Sequence, residues 1–88
     1  MSIPVHVSTH LRSYTKGRAD IEAEGATLAE IMVDLDRRFP GLRFRVIDEQ
    51  DQIRPHLNFF VKGSLVRNLA CPVGPGNEVL ILGALSGG

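Results

Sequence analysis

What this chain has little of narrows its chemistry first. Cys71 is its one cysteine, which excludes an internal disulfide and leaves no thiol-rich metal site. Neither sign of charge is in excess: 10 basic residues balance 10 acidic ones with histidine neutral. Nucleic acid and anionic membrane both demand a positive excess, so neither is expected as a partner. Arginines do gather at Arg37-Arg38 and at Arg43 and Arg45, but Asp34, Asp36 and Asp48 lie close by and offset them. No apolar run approaches the ~20 residues of a membrane-spanning helix. Met1-Ser2-Ile3-Pro4 reads as neither a signal peptide nor a transit sequence, and the expected address is the cytoplasm. Internal repeats and low-complexity segments are also missing.

What is present is an ordinary globular composition, 43% apolar and 23% charged over 88 residues, enough for one domain with one core. Ile3, Val5 and Val7 alternate with polar or turn-like residues, the period of a half-buried strand. After a turn at Thr15-Lys16-Gly17, Asp20–Glu24 alternates again, so residues 3–24 read as a hairpin. Thr27 is placed as an N-cap with Glu30 three residues on, the capping-box spacing. Leu28, Ile31, Met32, Leu35 and Phe39 then recur at helical spacing as one apolar stripe, Arg37 and Arg38 suit the C-terminal dipole, and Pro40-Gly41 stops the helix. Leu42, Phe44, Val46 and Ile47 suit either a partial strand or a turn of helix, and Asp48–Gln52 is a solvated loop. Leu57, Phe59 and Val61 alternate through a strand, Gly63-Ser64 is a turn signal, and Leu65-Val66 suits a short return. A loop carrying Pro72, Gly74, Pro75 and Gly76 leads into the apolar strand Val79–Leu82. Two hairpins flanking one capped helix predict an α+β roll, a mixed sheet of four to five strands with the helix packed on one face. Its first and last strands are expected to pair in parallel at the centre.

Residues 1–82 are therefore expected to form the domain and residues 83–88 a flexible tail ending in Gly87-Gly88. Two residues without side chains suit a slot that any Cβ would obstruct. From Leu82 the six residues of such a tail reach roughly 20 Å when extended. The carboxylate at Gly88 would then be the reacting group.

With those residues placed, the chain resembles the MoaD/ThiS family of small sulfur carriers, which share the ubiquitin-like β-grasp fold. The resemblance rests on the N-terminal hairpin, the helix start Thr27-Leu28-Ala29-Glu30 and its end Arg38-Phe39-Pro40-Gly41-Leu42. It continues through Asn58-Phe59-Phe60-Val61-Lys62-Gly63 and Gly76-Asn77-Glu78-Val79 to Ser86-Gly87-Gly88. Two positions depart from the family pattern: Lys62 stands where asparagine is usual, and Gly83-Ala84 stands where a proline pair is frequent. Residues 39–58 are further similar to the mid-chain insertion of carriers that feed cysteine biosynthesis, with molybdopterin-synthase small subunits close competitors.

The resemblance implies that the Gly88 carboxylate is adenylated by an ATP-dependent, ubiquitin-activating-like enzyme. A carboxylate with pKa near ~3.5 is an anion at neutral pH and a poor electrophile until so activated. Sulfur from a sulfurtransferase or rhodanese-like donor then replaces the adenylate, and the resulting thiocarboxylate serves a sulfur-accepting synthase. Ser86 and Gly87 would thread the partner's slot. The carrier itself would be no enzyme and bind no cofactor, ATP being used by its partner. The competing expectation is a ubiquitin-like modifier joined through Gly88 to lysines, or a small subunit of molybdopterin synthase.

A docking surface is also expected. Val79, Leu80, Ile81 and Leu82 are all apolar, yet a single helix covers only one face of a sheet. Phe60 is out of phase with Leu57, Phe59 and Val61. Phe60 together with either Val79/Ile81 or Leu80/Leu82 is therefore expected to form an exposed patch for partner enzymes.

Other signals are weaker. His6 and His10 are four apart, but on an extended segment their rings would sit about 13 Å apart, so no metal is expected there. His56, beside Pro55, reads as a loop residue. Cys71 has no histidine or carboxylate placed by sequence to activate it, and Asp48, Glu49 and Asp51 lack the alternation and glycine of a calcium loop.

Overall fold

The alternation at the N-terminus is realised as strand β1, Ser2–Val7, in which Ile3, Val5 and Val7 are buried. A computed structural model describes residues 2–83. β1 pairs antiparallel with β2, Asp20–Glu24, setting Ile3 against Ala23 and Val5 against Ile21. The polar stretch after β1 bends instead of extending the strand. A short 3-10 turn at Thr9–Leu11 buries Leu11, and the buried Thr15 hydroxyl donates to the Arg18 carbonyl at 2.7 Å.

Helix α1, Leu28–Arg38, forms as its local signals dictate. Thr27 Oγ1 accepts from the Glu30 amide at 3.2 Å, while Glu30 Oε1 reaches back to the Ala26 amide at 2.8 Å. The return arm of the cap thus lands one residue before the N-cap. Leu28, Ile31, Met32, Leu35 and Phe39 are all buried. The next amides are satisfied from a distant loop, Leu28 N–H by the Cys71 carbonyl and Ala29 N–H by Leu69, which ties the helix start to the segment feeding the last strand.

The ambiguous segment is a second helix, α2, Leu42–Val46. Its start is organised by Asp36, whose Oδ1 accepts from the amides of Gly41 and Arg43 at 3.0 and 3.2 Å. Leu42 and Val46 are buried beneath it. An isolated bridge between Ile47 and Ile53 closes the loop that follows, and Asp48 Oδ1 accepts from the amides of Gln50 and Gln52 inside it.

β3, Leu57–Val61, and β4, Ser64–Val66, form a hairpin, and β5 spans Val79–Gly83. The sheet order is β2-β1-β5-β3-β4, with β1 and β5 parallel at its centre. α1 and the buried side chains lie on one face. Among the described residues no helix is long and apolar enough to cross a membrane.

The β3–β4 turn lies one residue earlier than the glycine signal suggests: Val61 pairs with Ser64, leaving Lys62 and Gly63 as a two-residue loop. Both have positive φ, 56° and 79°, as a type I′ hairpin turn requires. Lysine is held in a left-handed conformation that asparagine adopts more readily. Lys62→Asn is expected to stabilise the fold by about 0.5 kcal/mol, raising the melting temperature by about 2–4 °C. An unchanged or lower value in a thermal melt would contradict that reading of the turn.

One buried carboxylate joins helix to sheet edge. Asp34 is 8% exposed; its Oδ2 accepts from the Glu24 amide at 2.9 Å and from Arg38 Nη2 at 2.6 Å, and its Oδ1 from Arg37. The Glu24 amide, aided by Arg38 and Arg37 and opposed by desolvation, holds the Asp34 carboxyl below the usual carboxylate range. Its contribution is fully present above the unfolded-state pKa of about 3.9 and is lost as pH falls through the lower folded value. Asp34→Ala is expected to cost about 2 kcal/mol at neutral pH. The gap between variant and parent should close as pH drops below that of an ordinary aspartate, measurable by urea titration across the acid range.

Candidate functional site

On the face of the sheet opposite α1, the described side chains of β3 and β5 are half-buried. Strand pairing arranges the side chains of this face in rows across the strands, because partners in register point to the same side. One row runs Leu65, Phe60, Leu80, His6, Asp20, through the pairs Phe60–Leu65, Phe60–Leu80, His6–Leu80 and His6–Asp20. Its first three members are apolar. Phe60 and Leu80 are half-buried and Leu65 is 55% exposed. Its other end is polar, with His6 Nδ1 2.8 Å from Asp20 Oδ1. The neighbouring row holds Asn58 and Leu82, again in register, with Arg67 Nη1 donating to Asn58 Oδ1 at 3.1 Å.

Of the alternatives for β5, Leu80 and Leu82 lie on this open face. Val79 and Ile81 are fully buried: they alternate inward, level with Val61 and Phe59 of β3, and belong to the core, which corrects their inclusion among docking residues. The domain boundary also moves. Gly83 was expected to begin the tail, but it is the last residue of β5, paired with Leu57 and donating its amide to Ser8 Oγ at 2.9 Å. Ser86, Gly87 and Gly88 lie outside the described residues.

Leu65 belongs to the apolar row although it was not among the expected docking residues. Its one sequence signal is position: a large apolar residue two places after a Gly turn, opposite Phe60. His10 sits in the 3-10 turn near the end of β5, its Cβ 3.7 Å from where a Cβ on Gly83 would stand. Cys71 is half-buried, with Sγ 3.6 Å from the Pro72 carbonyl. Among the described residues no three His, Cys, Asp or Glu side chains come together as metal ligands.

Phe60, Leu80 and Leu65 offer a continuous apolar strip that another surface can desolvate. Leu82 extends it toward the point where the chain leaves the sheet. A model of the ThiS family matches residues 5–88. The chain belongs to the ThiS family.

Sulfur carrier protein CysO of Mycobacterium tuberculosis (strain ATCC 25618 / H37Rv) is 32% identical over 93 aligned residues, which take in the whole of both chains. A chain in the crystal structure of the Amycolatopsis orientalis BexX/CysO complex superposes with a TM-score of 0.90 at 34% identity, covering 98% of this chain and 99% of that one. The crystal structure of Mycobacterium tuberculosis CysO gives 0.88 at 30% identity, over 94% and 99%. The ThiS-family chain described here has the ubiquitin-like β-grasp fold, a mixed five-stranded sheet with one main helix packed on it.

Proposed function

We propose that this protein is a sulfur carrier and not itself an enzyme. The observation that carries the reading is full-length similarity to CysO, 32% identity across the whole of both chains, on a body whose described residues offer an apolar contact strip. In this reading the Gly88 carboxylate is adenylated by an ATP-dependent, ubiquitin-activating-like enzyme. The outer sulfur of a persulfide on a sulfurtransferase or rhodanese-type donor displaces AMP to give an acyl disulfide. A second thiol cleaves it, releasing the thiocarboxylate and ending as a disulfide with the donor. The thiocarboxylate, a soft nucleophile, delivers sulfur inside an accepting synthase. Ser86 and Gly87 pass through the partner's slot while the body stays outside.

Phe60, Leu80 and Leu82 are the docking residues, with Leu65 added from the structure. Their place beside the end of β5 supports this role, since a partner gripping them stands next to the outgoing chain. The resemblance of residues 39–58 to carriers that feed cysteine biosynthesis, together with the similarity to CysO, favours cysteine formation over molybdopterin as the destination.

Intact-mass spectrometry of the protein from its native host tests the proposal. Replacement of one oxygen by sulfur at the C-terminal carboxyl is the expected result. Gly-Gly remnants on lysines of other proteins, with no sulfur exchange, would replace the carrier by a modifier. An unaltered chain under sulfur-replete growth would remove both.

A further inference from the structure

The last residue of β5 is held on one side by a side chain, and on the other by a strand that a second side chain braces. On the β1 side, Ser8 makes two contacts with the strand: its amide donates to the Ile81 carbonyl at 3.0 Å, and its hydroxyl accepts from the Gly83 amide at 2.9 Å. The second bond spans 75 residues of sequence. On the β3 side, Leu57 and Asn58 stand opposite Gly83 and Leu82, and both are gripped by Arg67. Its Nη1 donates to the Leu57 carbonyl at 2.8 Å and to Asn58 Oδ1 at 3.1 Å. Its Nη2 donates to the carbonyls of Ile53 and Arg54 at 3.2 and 3.1 Å.

One exposed guanidinium therefore fastens the corner 53–58 to the end of the sheet without any carboxylate partner among these four contacts. Its planar fork matches several acceptors at once, which a lysine ammonium on a flexible stem does not reproduce. Ser8 is half-buried and Arg67 exposed, so neither is a packing residue of the core. What they share is the place where the chain leaves the sheet.

We propose that Ser8 and Arg67 are positioning residues that hold Gly83 in place at the end of β5, so that a partner seated on Phe60, Leu80 and Leu82 meets the base of the reacting end at a fixed position. This rests on the carrier reading above. Holding a reacting group in line turns part of an entropic barrier into prepaid structure, and small misplacements cost rate steeply. Without the two anchors Gly83 loosens from β1 and β3 while Leu82 keeps its strand pairing, and fewer docked complexes are productive. Docking itself is untouched, because the apolar strip remains.

The test uses full-length chain, the ATP-dependent adenylating enzyme purified from the same host, and ATP–pyrophosphate exchange as the assay. Ser8→Ala and Arg67→Lys are each expected to lower kcat about tenfold while KM for the carrier stays unchanged. Amide hydrogen exchange at Gly83 should quicken by about tenfold in Ser8→Ala, with the thermal transition and the exchange at Val5 and Val79 unaltered. Ser8→Thr, which restores the hydroxyl, should recover both readouts. A rise in KM with kcat intact would mean that these side chains touch the enzyme directly, and would overturn the positioning role. So would unchanged kinetics, or loss of the cooperative transition in Ser8→Ala. Failure of the parent chain to support any pyrophosphate exchange would instead bring down the carrier reading, and the positioning role with it.

Discussion

Removing Gly88 is expected to abolish adenylation and all sulfur transfer while changing stability by less than about 0.5 kcal/mol. The two effects separate because they live on different parts of the molecule. Gly88 lies beyond the last strand, which ends at Gly83, and carries no side chain that could join the core. On the proposed carrier function, chemistry at its carboxyl is all or nothing: without that carbonyl carbon the proposed acyl-adenylate has nowhere to form. A penultimate carboxylate remains, but it stands one residue short of the partner's reacting position. Pyrophosphate exchange and a thermal melt on the same preparation decide the matter. Residual activity near the parent level would show that the reacting group lies elsewhere, and a large fall in melting temperature would show that this end supports the fold.

The second large effect contrasts neighbouring phenylalanines. Phe59 is wholly buried, and Phe59→Ala is expected to cost about 3–5 kcal/mol, a large part of the ~5–15 kcal/mol that stabilises a small domain. Phe59→Asp should leave no cooperative transition at all, since an unpaired carboxylate would stand in the core. Phe60 points the other way. Phe60→Asp loses cross-strand contact with Leu65 and Leu80 and should cost no more than about 1 kcal/mol of stability. Its effect falls on docking: loss of a central aromatic anchor worth about 2 kcal/mol weakens association about thirtyfold. Urea titration of both variants, with KM for the adenylating enzyme measured on Phe60→Asp, checks the pair. Equal destabilisation of the two would deny that the sheet has an open face.

How much of this could be read from sequence depended on whether the signal was local. Helix α1 was legible apart from the return arm of its cap, because Thr27, Glu30 and the apolar stripe from Leu28 to Phe39 all sit within one short window. Phe60 was legible as out of phase because β3 alternates cleanly. β5 has four consecutive apolar residues and therefore no phase of its own. Which pair faces α1 is decided by its pairing with β1 and β3, information that lies far away in the chain. α2 was ambiguous for a related reason: five residues carry too little period, and the Asp36 carboxylate that organises its start belongs to the preceding helix. Leu65 was legible as part of a short return strand but not as a member of the open face, since a three-residue strand shows no alternation. Gly83 looked like the first residue of a tail until Ser8, from the other end of the chain, supplied the acceptor for its amide.

The position of β5 between β1 and β3 has a consequence during synthesis. The sheet cannot close until β5 has left the ribosome, because β1, already paired with β2, waits on its other side for a strand that begins only at Val79. Contacts of such long sequence separation are slow to form and leave the nascent chain open for most of its production. A chain cut short before Val79 lacks both the central strand and Leu80, so it can neither complete its core nor offer the full apolar strip. Only translation that has carried β5 clear of the ribosome yields a body with a complete core and the whole apolar strip.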